Sequence, residues 1–253
     1  MKYFVREDSV VRKIWGKADT VLFIFAGASA EFALNKAVDW LYFTGKLPAN
    51  PLARLFSTME YSRQIIFSEY ETALSAIDKI TMIHKGVEAA RGAQIPDWAY
   101  RDVLFMLIDY SIRSYEVLER KLTYAEKEEI FLTFYGVGNR MGITDLPLTY
   151  IDWQVMRDKH LQDNFIKSYF TTDLYKQYRK HLGFARYQLL KQVQILVTPT
   201  KVKQMLLLGN THLLTPVLWV YKIIRIVRLD WLLKETILPV GYKAQIRKLD
   251  QRF

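Results

Sequence analysis

RLFSTMEYSRQIIFSEYETALSAIDKITMIHKGVEAARG, residues 54–92, is the stretch from which the fold is read. Arg54 and Thr58 stand four apart, which puts them on one face of a helix. Ser68 followed three residues later by Glu71 has the form of a capping box, so a long helix is expected to start there. Along it Ile77, Ile80, His84 and Val87 recur at spacings of three and four, an apolar stripe that carries His84 toward the interior. Arg91 and Gly92 close it, a basic residue in the last turn and then the residue best able to turn left-handed.

Toward the N-terminus, a short lead-in over residues 8–16 precedes a core helix expected from about Ala18 to Leu41. Gly27, Ala28, Ser29 and Ala30 lie in its middle, where small side chains admit another helix or a flat ligand. Glycine costs about 1 kcal/mol there relative to alanine, so a packing or pocket reason is expected. Gly45, Pro48 and Asn50-Pro51 mark a loop before the Arg54–Thr58 helix, which is expected to run about three turns.

Toward the C-terminus, Pro96 and Asp97 open a helix to about Lys121, carrying Val103, Leu104, Leu107, Ile108 and Ile112. Thr123 and Glu126 form a second capping box, for a helix to about Val137 with a turn over Gly138–Gly142. A further helix is expected within Pro147–Asp163, then others at about 173–196, 200–208 and 213–228, with one more after Pro239. Thr198 is expected to cap and Pro199 to take the first helical position. Val193–Val197 is β-branched, but one short run makes no sheet. The reading is all-α.

At 253 residues the chain is long enough to bury a full core, and it is read as one globular domain over 1–253 with a basic part from about 176. Hydrophobic residues make up 51% and aromatic residues 14%, enough to line a sizeable apolar cavity as well as fill a core. The absence of cysteine excludes disulfides, thiolate metal sites, iron–sulfur clusters and a cysteine nucleophile. Residues 1–8 do not have the form of a signal peptide, and Val21–Leu34 is interrupted by Glu31 and too short to span a bilayer. The expectation is a soluble, cytoplasmic protein.

Residues 176–253 hold 15 Lys/Arg against 3 Asp/Glu, whereas residues 1–175 hold 21 against 23. A solvated basic face is the commoner meaning of such a bias, and no nucleic-acid module accompanies it, so no nucleic-acid partner is expected. Within that part, residues 213–232 interleave Trp219, Val220, Ile223 and Ile224 with Lys222, Arg225 and Arg228. This suits a peripheral membrane contact or a subunit-contact helix in a homodimer.

A lone histidine on an apolar stripe leaves three readings open: a neutral core histidine bonded to a carbonyl, a metal ligand and a heme ligand. The first is the commonest, because one histidine lacks the spacing that makes a metal site recognisable. His160, His181 and His212 show no mutual ligand spacing and are read as surface or local residues.

An Arg-Leu-x-x-Thr segment followed some turns later by His-x-x-Val resembles the oxygenase family that includes the bacterial latex-clearing proteins and the fungal mycophenolate-pathway oxygenase. Leu22–Ala30 resembles that family's glycine-containing first core helix, and Val103–Ser111 its long central helix. Pro199 with Val202 and Lys203 resembles its late Leu-Pro-x-x-Val-Arg element. The resemblance implies an all-helical fold enclosing an apolar, heme-sized cavity, with heme b as cofactor, and dioxygen and a small apolar or aromatic molecule as partners. It implies His84 as the iron ligand, with Arg54 and Thr58 as catalytic residues that also line the cofactor pocket, and Phe56 and Gly27 beside the macrocycle. Arg54 would pair with a propionate or with negative charge developing on dioxygen.

Departures from the family pattern are Ser57, where the latex-clearing branch carries lysine, and Leu104 and Asp102, where histidine and tryptophan are usual. Asp109 keeps the family's acidic character and is a candidate acceptor for the second nitrogen of His84. Two rival functions follow from the same residues. One is a sensor or carrier that binds heme or an apolar ligand without turnover. The other is a basic helical module docking on membrane or nucleic acid.

Overall fold

Several helices begin where a side chain or a proline removes the backbone's orphan donors, and the computed structural model shows these starts in order. It describes residues 2–45, 49–209, 213–226 and 250. Ser9 Oγ accepts from Val11 N at 3.0 Å and opens α1, Val10–Trp15. The N-terminal Ala18 of α2, Ala18–Phe32, donates its amide to Asp250 at 2.8 Å. After α3, Val38–Phe43, comes α4, Pro51–Phe67, with Asn50 as its cap and proline in its first turn. The long α5, Tyr70–Arg91, ends on Gly92 at φ 68°.

α6 spans Asp97–Leu118 and α7 Tyr124–Arg140, where Thr123 and Glu126 make the reciprocal capping box expected of them. α8 covers Tyr150–Asp163, capped by Thr149. α9, Tyr169–Val197, bends at Gly183 (φ 73°, ψ 172°), and α10, Thr200–Leu206, and α11, Leu214–Ile226, follow. The fold is all-α, and no strand occurs among the described residues.

Four boundaries differ from expectation, two of them because a side chain competes with the helix. The helix from Ala18 does not continue to Leu41. Asn35 interrupts it, its Oδ1 accepting from Ala37 N at 2.8 Å and its Nδ2 donating to Asp102 at 2.7 Å. Ser68 caps the end of α4 rather than the start of α5. The start of α5 is instead served by the N-terminal strap, Tyr70 N donating to Lys2 O at 2.9 Å. Gly138 is helical, because α7 runs on to Arg140. Thr198 turns back, its hydroxyl donating to Gln194 O at 2.7 Å, and Pro199 takes the cap position of α10. The β-branched run Val193–Val197 is helical. The helix expected after Pro239 and the end of the 213–232 segment lie outside the described residues.

α2 and α6 are the central pair, packed along each other and covered by α1, α7 and α9. Gly27 explains how close they come. A Cβ there would meet ring carbons of Tyr110 at 2.3 and 2.4 Å and Val197 at 2.9 Å. Trp15, Phe25, Phe105, Tyr110 and Phe131 fill the main core. Through it runs a buried ionic cluster. Arg157 of α8 reaches both oxygens of Glu31 on α2 at 2.5 and 2.6 Å and Asp109 of α6 at 3.1 Å. Asp109 also accepts from Arg113 at 2.6 Å, and Tyr110 donates to Glu31 at 2.8 Å. Two carboxylates and two guanidinium groups balance, which is the condition under which charge survives burial.

Candidate functional site

The stripe read from α5 faces a cleft. Ile80, His84 and Val87 line one wall of a cavity of about 810 Å³, within the range of small-molecule and cofactor pockets, about 300–1,000 Å³. Arg54, Phe56 and Thr58 of α4 line another part, so α4 and α5, joined by a tight Ser68–Glu69 link, bring the expected residues to one space. The remaining walls come from α2, α3, α6, α7, α9 and α11 and are predominantly apolar, Phe23, Leu107 and Val193 among them.

His84 sits in that wall with its Nδ1 buried and without a hydrogen-bond partner. Desolvation, with the Arg54 charge second, pushes its pKa down to about 4, against a smaller upward pull from Glu88. The imidazole is therefore neutral at ordinary pH, with a lone pair to offer. Its ring meets Tyr100 edge-on at 5.2 Å, and the Tyr100 hydroxyl donates to Glu88 at 3.2 Å. Burial, then Glu88, holds the Tyr100 phenol above its usual range, so it stays a proton donor. A smaller polar recess lies behind the ring, bounded by Thr81, Lys85, Glu88 and Asp97.

Arg54 has no ion pair and no side-chain hydrogen bond among the described residues. Partial burial lowers its pKa, with no counter-charge among the described residues to offset the desolvation. An unpaired guanidinium beside a neutral imidazole in an apolar cleft favours an anionic, largely apolar ligand. Thr58 lines the cleft while its hydroxyl donates back to Arg54 O at 3.1 Å. Ser57 makes the same back-bond at 2.9 Å and is not part of the lining. Leu104 is an apolar wall residue.

Other expectations are corrected. Gly27 does not line the cleft; the space it leaves is taken by Tyr110 and Val197. Asp109 is committed to Arg113 and Arg157 and gives the His84 ring no acceptor. His160 is not a surface residue, since its Nδ1 lies 2.5 Å from Asp102, with Phe105 stacked on the ring. Asp102 also accepts from Asn35 and Asn164. His212 lies outside the described residues. The tyrosines at the cleft are Tyr61, Tyr100, Tyr178 and Tyr221. No sequence signal distinguished them, because tyrosine occurs 16 times in the chain.

Could these residues hold a cofactor? Among the described residues no group of three or more His, Asp or Glu side chains is placed to hold a metal ion. A metal at His84 would take its other donors from a bound group, and a macrocycle supplies four. The orphaned nitrogen, the unpaired guanidinium and the apolar walls fit such a group.

Fold and site together define an all-helical protein built around an apolar cleft with one imidazole in its wall. A family model described as ER-bound oxygenase mpaB/B'/Rubber oxygenase, catalytic domain, matches residues 13–226. The chain belongs to this family of oxygenase-type catalytic domains. No curated protein and no solved structure matches it.

Proposed function

We propose that the chain is a heme-b-dependent oxygenase acting on a small apolar or aromatic molecule, with His84 as the protein ligand to the iron. The observation that carries this reading is the buried, partnerless Nδ1 of His84 in the wall of an apolar cleft shared with Arg54. A heme b held there supplies the redox chemistry by which dioxygen is activated.

The chain's own part follows from the residues. His84, neutral because burial disfavours its cation, offers a ring nitrogen without first losing a proton. Arg54 attracts a propionate or another anion into a site that otherwise offers little polar contact. Apolar walls exclude water and hold a substrate by surface rather than by specific polar bonds. Thr58 can redirect its hydroxyl from its own helix backbone toward the cleft, at the cost of one back-bond. Phe56, nearly buried, adds an aromatic face to the lining.

The test is spectroscopic. Purified chain supplied with hemin should develop a Soret band of an imidazole-ligated heme. His84→Ala should lose that signature, and Arg54→Met should bind heme roughly tenfold more weakly, as expected when one charge-assisted contact is removed. An unchanged axial signature in His84→Ala would remove the ligand assignment.

A second reading, binding without turnover, is favoured by one observation. Leu104 and Ser57 leave the cleft without the histidine and lysine of the family pattern. Oxygen consumption by the heme-loaded protein under reducing conditions, with candidate phenols and lipids, separates the two.

A further inference from the structure

α11 is mostly apolar, with Thr215, Lys222 and Arg225 gathered in one sector, yet much of its apolar surface lies open. Its thirteen residues, LTPVLWVYKIIRI, carry only two charges, Lys222 and Arg225. A helix of this kind belongs in a protein core or against lipid. One side is occupied here. Leu214, Leu218 and Tyr221 face the cleft, and the Tyr221 hydroxyl donates to Asp19 of α2 at 3.1 Å. The other side is open. At 3.6 residues per turn, Trp219, Pro216, Val220, Leu213 and Val217 follow one another around the outer half of the helix. Leu213 is 63% exposed, Val217 54%, Trp219 68% and Val220 50%.

Val217 and Val220 both line the cleft and reach solvent, so the exposed arc borders the cleft's opening. Arg186 and the leucines of the second half of α9 share that cleft, and Leu213 N is tied to Gln192 of α9 at 3.2 Å. The arc therefore sits within the basic part of the chain, where 15 Lys/Arg stand against 3 Asp/Glu over residues 176–253.

We propose that the outer arc of α11 seats the protein on an anionic lipid surface, with the cleft opening at the interface. Three physical points select this occupant. A bilayer interface takes up Trp, Val and Leu side chains, while its anionic headgroups attract Lys222 and the positive surplus this part of the chain carries in sequence. A second copy of the chain would bring the same positive surplus against itself. A nucleic acid would engage the charges and leave the apolar arc uncovered. Its described part carries Lys222 and Arg225 beside the apolar arc, the one-sided distribution of a helix lying in the interface plane. No helix among the described residues is long and apolar enough to cross a membrane. Docked this way, the opening draws an apolar substrate from lipid rather than from water. The docking surface does not depend on which cofactor the cleft holds.

Flotation of the full chain with vesicles tests this. Binding is expected to vesicles of mixed phosphatidylcholine and phosphatidylglycerol, to weaken with added salt, and to be slight with phosphatidylcholine alone. Leu213→Ser with Trp219→Ser, at exposed positions outside the cleft lining, should weaken binding about tenfold or more while thermal unfolding stays unchanged. Lys222→Glu should weaken it on anionic vesicles alone. Brominated lipid should quench a part of the tryptophan fluorescence that Trp219→Phe removes while still floating.

Failure to float with anionic vesicles overturns the proposal. So does equal binding by the double serine variant, which would place the contact elsewhere. A dimer in solution that the double serine variant dissociates would show that a second copy covers the arc, and would overturn it too.

Discussion

His84 carries the functional reading at the level of single residues, and its consequences reach beyond ligation. In the ligand-free protein its ring stays neutral down to about pH 4, against an ordinary value of 6.5. Between those values the unfolded chain binds a proton that the folded chain does not. Stability is therefore fully present above about pH 6.5 and falls as the pH drops toward 4, by an amount of at most about 3 kcal/mol. Urea unfolding of wild type and His84→Asn across this range should show a steeper acid-side loss in wild type. Parallel profiles would mean that the ring is not desolvated. Spacing alone put Arg54 and Thr58 on one helix face and His84 on an inward stripe, since a helical period is visible locally; that they share a cleft was implied only by the family resemblance. The pairing of His160 with Asp102 was not legible. Its partners are 58 positions apart, and neither carries a local pattern that points to the other.

At the scale of elements, the close approach of α2 to α6 rests on Gly27. The sequence justified a small residue there by a helix or by a flat ligand, and left the two open. Tyr110 decides for the helix, because its ring occupies the place a Cβ would take. Gly27→Ala must displace a fully buried tyrosine that is also bonded to Glu31. We expect a loss of about 3 kcal/mol from overpacking, or roughly 6–12 °C in Tm for a chain of this size. Tyr110→Leu in the same background should recover part of it, a coupling that a thermal double-mutant cycle measures. Helix existence was legible throughout, since a 3.6-residue period is a local signal. Helix ends were less so. Asn35 ends α2 by bonding to Asp102 on α6, and Ser68 loses its capping role to a backbone carbonyl at Lys2, both contacts that only the tertiary fold supplies.

For the molecule as a whole, Arg157 is the residue that ties the layers together. It lies on α8, and its two carboxylate partners lie on α2 and α6, 126 and 48 positions away. Such separations are why the sequence showed no sign of the cluster, although each charge stood in plain view. Glu31 read there only as an interruption in an apolar run. In the structure it is 0% exposed and holds Arg157 at both oxygens, with Tyr110 as a third donor. α2 and α6, which hold its carboxylates, also line the cleft, so its loss would loosen the cleft as well as the core. Arg157→Met keeps the side chain's length and apolar stem but leaves Glu31 charged, buried and without a cation. Breaking a buried pair from one side costs about 3–5 kcal/mol, because the remaining charge has lost its compensation. Adding Glu31→Gln removes that stranded charge and keeps an acceptor for Tyr110. The double variant should therefore unfold at a higher urea concentration than Arg157→Met alone, though below wild type. If the double variant is no better than the single one, Arg157 acts by packing rather than by charge, and the cluster is not what holds α2, α6 and α8 in register.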